Sequence, residues 1–104
     1  MNRPDEKRMS ERFEVECVGI TEKEDDEFVL WITNISRLGL GFRTKKHLKE
    51  NDRLLVRLKA RDVAVPVEVR GSVVWSKKAE RRAYKVGFKL DPTSWTRINK
   101  ILER

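Results

Sequence analysis

Apolar and polar residues alternate with a period of two along most of this 104-residue chain. In RLLVRLKA, residues 53–60, the side chains of Leu54, Val56 and Leu58 share one face, and AYKVGFKL at 83–90 repeats the pattern. A period of two places alternate side chains on opposite faces of a β-strand. The chain therefore predicts an all-β protein of antiparallel strands, each with one buried and one solvated face.

Further strands are predicted on both sides of the first acidic segment. RFEVECVGI begins the first strand, with Phe13, Val15 and Cys17 on one face, and the acidic TEKEDDE after it is expected to be a loop or hairpin end. EFVLWIT at 27–33 is the second strand, because it is rich in β-forming residues, and GLGF begins a short third.

The stretch VAVPVEVRGSVVWS is expected to form one long strand from Val63 to Trp75. Pro66 cannot donate a hydrogen bond to a ladder, so it marks an edge or a break. Gly71 indicates a bend or bulge on the core face. Trp75 aligns with the core face of this strand, which favours a buried indole, whereas Trp31 lies opposite the apolar face of its strand and is either partly exposed or packed under a helix.

The hydrophobic period changes after residue 90. Asp91 is a plausible N-cap and Pro92 occupies the first helical position of DPTSWTRINKILER. Trp95, Ile98, Ile101 and Leu102 then fall on one helical face. We therefore expect a single domain: a flexible basic arm at 1–12, a six-stranded antiparallel β-barrel at 13–90, and a C-terminal helix at 91–104 that covers an apolar opening or serves an interface.

The charge of the chain bears on its partners. The net charge is +7 and the isoelectric point about 9.9, which indicates either an anionic partner or a heavily solvated surface. Cys17 is the only cysteine, and no apolar run approaches the roughly 20 residues of a membrane helix. The first twelve residues contain no apolar segment typical of a secretory signal. We expect a soluble, cytoplasmic protein without membrane insertion.

Few residues suit catalysis. The only histidine, His47, lies in the polar run TKKHLKEND, which favours an exposed side chain, and Cys17 lies on the apolar side of its strand. The sequence contains no metal-ligand spacing, and its glycines do not match a Walker loop or a dinucleotide fingerprint. We therefore predict that the protein is not an enzyme and carries no metal or cofactor.

Two short patterns suit an anionic ligand. Arg8 and Arg12 are four residues apart, and a guanidinium can bind a phosphate or the O6 and N7 edge of guanine. In NISRLGLGF, Asn34 offers an amide to a base edge, the Ser36 hydroxyl can donate to a phosphate, and Gly39 lets backbone approach a ligand closely. Taken alone, this second pattern is also typical of an ordinary turn.

The two patterns together resemble the PilZ domain family, whose members carry RxxxR followed by (D/N)xSxxG on a small barrel. Here the match is Arg8 to Arg12, then Asn34, Ser36 and Gly39, and GSVVW and YKVGFKL are similar to the closing strands of the family. The resemblance implies a receptor for cyclic di-GMP, in which the two arginines and the NxSxxG stretch bind the nucleotide. Asn34 stands where the family often has Asp.

The resemblance also implies that the residue before the first arginine, here Lys7, influences whether one ligand or a stacked pair binds. Binding would order the arm against the barrel and signal to a downstream protein that the sequence does not identify. Two alternatives remain: a PilZ-like interaction module without ligand, and a basic barrel that binds single-stranded nucleic acid. Because neither alternative needs both motifs, no specific nucleic-acid partner is expected.

Overall fold

A computed structural model describes residues 17–61 and 63–102. Within this part of the chain, six antiparallel strands close into a barrel in the order β1-β2-β3-β6-β5-β4, which confirms the predicted architecture. The strands are β1 Cys17–Lys23, β2 Asp26–Ile35, β3 Gly39–Thr44, β4 Arg53–Ala60, β5 Val67–Glu80 and β6 Ala83–Leu90. A 3₁₀ turn, Pro92–Ser94, and a short helix, α1 Trp95–Leu102, follow.

The barrel interior is filled by the apolar face of each strand. In β4 every second residue is buried, as the alternation predicts. Phe42 and Phe88 meet inside with ring centroids 6.0 Å apart, and Leu48 from the β3–β4 connection is fully buried. Cys17 is also buried, as expected. Burial of these side chains is the main force that closes the sheet on itself.

The acidic segment predicted as a loop or hairpin end is the end of the first hairpin. Most of it is strand rather than loop, because β1 and β2 remain paired as far as Lys23 and Asp26. Only Glu24 and Asp25 form the turn, and both have positive φ, 54° and 65°. Two consecutive positive φ angles are typical of the tight turns that match the twist of a hairpin. Phe13 and Val15 lie outside the described residues.

The fifth strand is shorter at its start than predicted. It begins at Val67, immediately after Pro66, and Val65 is 70% exposed. Pro66 has no N–H to donate, so pairing with β4 starts only at Val67. Gly71 is not the site of the bulge. It pairs in register with Leu54 and Leu90, and the strand bulges later, between Val73 and Trp75.

The C-terminal helix packs on β5 and buries Ile98 and Ile101 in the core, with Trp95 and Leu102 partly buried against it. Pro92 occupies the first helical position, as predicted. Asp91 precedes it, but its carboxylate makes no capping hydrogen bond. Instead the guanidinium of Arg53 binds both carboxylate oxygens, at 3.0 and 2.6 Å. These hydrogen bonds lower the pKa of Asp91.

A second carboxylate fixes the connection between β3 and β4. Asp52 accepts a hydrogen bond from the backbone N–H of Lys49 at 2.8 Å and lies 3.3 Å from the ammonium of Lys23. Burial alone would raise the pKa of Asp52, but these two partners outweigh it and lower the pKa. The connection that carries buried Leu48 is therefore held by charge as well as by packing.

Candidate functional site

Three register irregularities interrupt the strands of the described residues, one of them between Lys78 and Glu80. The other two are β-bulges in β2 and β5, the strands that flank β3 and β6. The register of β2 with β3 shifts between Ile32 and Asn34, and that of β5 with β6 shifts between Val73 and Trp75. An extra residue reverses the alternation of side chains beyond it. Both Asn34 and Trp75 are therefore turned from the inward to the outward face.

The bulges align four residues in one row across four strands. Asn34 pairs with Gly41, Gly41 with Gly87, and Gly87 with Trp75. The amide of Asn34 lies over Gly41, where a Cβ would come within 2.7 Å of its Nδ2 atom. The indole of Trp75 lies over Gly87, where a Cβ would overlap the ring. We call Asn34, Gly41, Gly87 and Trp75 the glycine platform.

Trp75 is therefore not the core residue that the alternation predicts. It is 46% exposed, because the bulge at Val74 moves it to the outer face. Trp31, whose position the sequence left open, is also 46% exposed. The indole atoms Nε1, Cε2 and Cδ1 cover Gly87 while nearly half of Trp75 remains exposed, so the side chain provides a surface on which a planar ring can stack.

Ser36 and Gly39 close the tight turn between β2 and β3. The Ser36 N–H donates to the Gly39 carbonyl at 2.9 Å, and the Gly39 N–H donates to the Ser36 hydroxyl at 3.2 Å. The turn is anchored to the end of β6, because the Leu90 N–H donates to the Leu38 carbonyl at 2.9 Å. Ser36 and Gly39 therefore make the local hydrogen bonds of an ordinary turn, and this turn lies beside the glycine platform.

The Ser36 hydroxyl retains a weakly used donor. Its contact to the Gly39 carbonyl is 3.4 Å long, beyond the usual O–H···O range. Gly39 has no positive φ. It is required for space, since a Cβ there would overlap the Phe88 carbonyl oxygen.

Basic side chains surround the platform. It lies in an open cleft of about 770 Å³ whose lining includes Arg43, Lys85 and Lys89. Of these, Arg43 lies 3.6 Å from Glu80. A smaller groove of about 420 Å³ is lined mainly by carboxylates, among them Glu22, Glu27 and Glu68, and repels anions. Electrostatics therefore favour the platform as the site for an anionic ligand.

The predicted site residues fall into two groups. The structure brings Asn34, Ser36 and Gly39 together at the junction of β2 and β3, beside the platform. Lys7, Arg8 and Arg12 lie outside the described residues. Sequence reasoning missed Gly87, and it assigned Trp75 to the core.

Within residues 17–61 and 63–102, no cluster of His, Cys, Asp or Glu is arranged to hold a metal ion. No helix in the same part of the chain is long and apolar enough to cross a membrane. His47 is exposed and stacks on Tyr84, with ring centroids 5.0 Å apart. The described residues thus form a small barrel whose outer surface presents a cleft lined in part by Arg43, Lys85 and Lys89.

The chain belongs to the PilZ domain family, whose model matches residues 6–104. A search of curated proteins gives no match. Among solved structures, the chain is similar to the PilZ domain with c-di-GMP of YcgR from Escherichia coli, with a TM-score of 0.73 and 13% identity over 93% of this chain and 89% of that one.

Two further solved structures share the fold. The K. pneumonia MrkH–c-di-GMP complex has a TM-score of 0.75 and 17% identity, covering 99% of this chain and 52% of that one. The Bacillus subtilis inhibitor of motility, MotI/DgrA, has a TM-score of 0.66 and 14% identity, covering 94% of this chain and 52% of that one. The chain spans about half the length of MrkH and MotI.

Proposed function

We propose that this protein is a receptor for cyclic di-GMP and binds it on the glycine platform. The observation that carries the proposal is the row Asn34, Gly41, Gly87 and Trp75, which lies beside the NxSxxG turn in a cleft lined by Arg43, Lys85 and Lys89. Membership of the PilZ family supports it, as do the YcgR and MrkH structures, both of which contain c-di-GMP.

The platform suits a guanine base. Its two glycines have no Cβ, so the Asn34 amide and the Trp75 indole lie close against the sheet and form a low surface for a planar ring. The exposed face of Trp75 offers a stacking partner, and the Asn34 amide can hydrogen-bond the base edge. Among residues 17–61 and 63–102, Nδ2 of Asn34 is held only by a 3.4 Å contact to Thr33, so little of that contact is lost when the amide turns to a ligand.

The turn and its neighbours suit the phosphates. The Ser36 hydroxyl accepts from the Gly39 N–H and keeps its own proton for a phosphate oxygen. Lys85 and Lys89 add positive charge from β6, on the same face of the barrel. A cyclic dinucleotide carries two negative charges, so each of these groups lowers the cost of bringing it to the surface.

The chain between the two arginines and Cys17 is long enough to span the distance to the platform. β1 runs beside β2 with Val18 paired to Trp31, and Asn34 is three residues, about 10 Å, farther along β2. Arg12 is five positions before Cys17 and Arg8 is nine positions before it, and fully extended chains of these lengths span about 17 and 31 Å. We propose that both guanidinium groups bind the nucleotide and that the arm is ordered when they do.

Lys7 bears on stoichiometry. A stacked pair of nucleotides brings four phosphates to one site, and a third basic residue beside Arg8 would reduce their mutual repulsion. We propose that Lys7 contributes to this site. This role requires that two nucleotides bind per chain, and a calorimetric stoichiometry of one would contradict it.

The proposed output is a changed surface rather than a reaction. An ordered arm and a bound nucleotide alter the shape and charge of one face of the barrel, which a downstream protein can recognise. We propose a cytoplasmic receptor or adaptor without catalytic activity. The competing candidates, a PilZ-like module without ligand and a barrel for single-stranded nucleic acid, do not use the Asn34 amide or the Ser36 hydroxyl.

Isothermal titration with cyclic di-GMP tests the proposal. We expect saturable binding by the full chain, none with GMP at the same concentration, and loss of binding in Arg8→Ala/Arg12→Ala. The matched control is Arg57→Ala/Arg97→Ala, which removes the same charge from exposed positions away from the platform and should bind as the wild type does. Equal weakening in both double variants, or tighter binding of oligonucleotides, would contradict the proposal.

A further inference from the structure

Strand β5 continues well beyond its partner β4. Pairing with β4 covers Val67–Ser72, and two backbone hydrogen bonds extend it to Val73, which donates to the Asp52 carbonyl and accepts from the Asn51 N–H. From Val74 to Glu80, β5 pairs only with β6 among the described residues. We call Val74–Glu80 the free edge of β5.

The free edge offers unused backbone hydrogen bonds. In an antiparallel strand, successive residues direct their N–H and C=O groups alternately to the two neighbouring strands. The groups of the free edge that point away from β6 have no strand to pair with in the part of the chain that the structure describes. Six of its seven residues are exposed, and only Ser76 is half-buried. Such an edge can accept one more strand.

The charge around the free edge is strongly positive. The segment SKKAERRAYK, residues 76–85, contains five basic side chains and one carboxylate, Glu80, which lies 3.6 Å from Arg43. Lys77 and Lys78 are consecutive on the strand, so they project from opposite faces of the sheet. An incoming strand would therefore meet a cation on either face.

This charge selects the chemistry of the partner. Lysines on an edge strand oppose pairing with a second copy, because like charges then lie side by side. An acidic strand would instead place its carboxylates beside these lysines, and the opposite charges would attract. A nucleic acid would use the basic side chains but has no row of amides and carbonyls to pair with the backbone, so the open edge favours a polypeptide.

We propose that the free edge of β5 is a docking site for an acidic, extended segment of a partner protein, which adds to the barrel as a further strand. The site shares Trp75 with the glycine platform but uses the backbone of that residue rather than its indole. The platform uses the outer face of the sheet, whereas the docking site uses the backbone edge from Val74 to Glu80 and the flanking lysines.

Nuclear magnetic resonance of the ¹⁵N-labelled full chain tests this proposal with the peptide acetyl-EVEVEVE-amide as the probe. We expect shift changes concentrated at residues 74–80 and their β6 neighbours, with saturation. The same peptide N-methylated at alternate residues loses the donors of one edge and should bind at least tenfold more weakly. The basic peptide acetyl-KVKVKVK-amide should not bind.

Charge-reversed variants separate the free edge from the overall charge. Lys77→Glu/Lys78→Glu should weaken the acidic peptide about tenfold, whereas Lys59→Glu/Lys100→Glu, with the same net charge at exposed positions on β4 and α1, should change it less than twofold. Spectra of the free variants establish that both are folded. Equal effects, equal binding of the methylated peptide, no saturable binding, or displacement of the peptide by single-stranded DNA would overturn the proposal.

Discussion

A methyl group added at Gly87 tests how the platform is built. The ideal Cβ of Gly87→Ala would lie 2.9 Å or closer to three atoms of the Trp75 indole, so the ring must leave the sheet. Trp75 is 46% exposed, so it buries roughly 135 Å² of its surface, which corresponds to about 3.4 kcal/mol. Because only part of that contact is with Gly87, we expect the free energy of unfolding to fall by about 1–2 kcal/mol.

The loss of affinity for cyclic di-GMP should be larger than the small loss of stability alone would cause. If guanine stacks on the indole, moving the ring removes about 1–3 kcal/mol of binding free energy, which weakens cyclic di-GMP about 5- to 150-fold. Isothermal titration of the wild type, Gly87→Ala, Trp75→Ala and the double variant measures this as a double-mutant cycle. Gly87→Ala should cost almost nothing once the indole is absent.

Additive losses would refute the reasoning. If Gly87→Ala weakens binding equally with and without the Trp75 indole, the glycine acts on the ligand or the sheet and not through the ring. Unfolding by urea supplies the control, because every variant must be more than 95% folded at the temperature of the titration. An unchanged ¹⁵N and ¹H shift of the Trp75 indole N–H in Gly87→Ala would also contradict the predicted displacement.

Three predictions concern stability. Leu48→Ala removes a fully buried side chain and should lower the free energy of unfolding in urea by about 2–5 kcal/mol; a loss below 1 kcal/mol would contradict its place in the core. Ser36→Ala leaves the Gly39 N–H without its acceptor and should cost about 1 kcal/mol in the same assay, and an unchanged midpoint would contradict the turn. The folded-state pKa values of Asp52 and Asp91 are lowered, so their contribution is present above the unfolded pKa near 4 and is lost as pH falls below it. The thermal midpoint should drop between pH 5 and 3, with a smaller drop in Asp91→Asn, and a midpoint that rises on acidification would contradict this sign.

The strands of the barrel could be predicted from the alternation of apolar and polar residues, and the prediction failed where a β-bulge interrupts that alternation. The eight residues of β4 were predicted with their observed bounds because the alternation there is unbroken. Trp75 was misplaced because strict alternation carried it inward. The signal for the bulge is in the sequence, since Val73 and Val74 are adjacent apolar residues where a period of two allows one.

The other features that the sequence did not predict depend on contacts between residues far apart in the chain. Asp91 looks like a helix cap locally, but Arg53 takes its carboxylate from 38 positions away in the chain. No role was predicted for Gly87 in YKVGFKL, because a side chain at this position is excluded by the Trp75 indole on the neighbouring strand β5. Neither relation can be read from local propensity, since each depends on the closed sheet.

The most direct test of the central claim is an amide and indole ¹⁵N titration of the full chain with cyclic di-GMP. The account predicts that the Trp75 indole N–H, the Asn34 side-chain amide and the backbone amides of Gly39, Gly41 and Gly87 shift together and saturate at one concentration. Shifts confined to other strands, or none at the Trp75 indole, would contradict a nucleotide bound on the glycine platform.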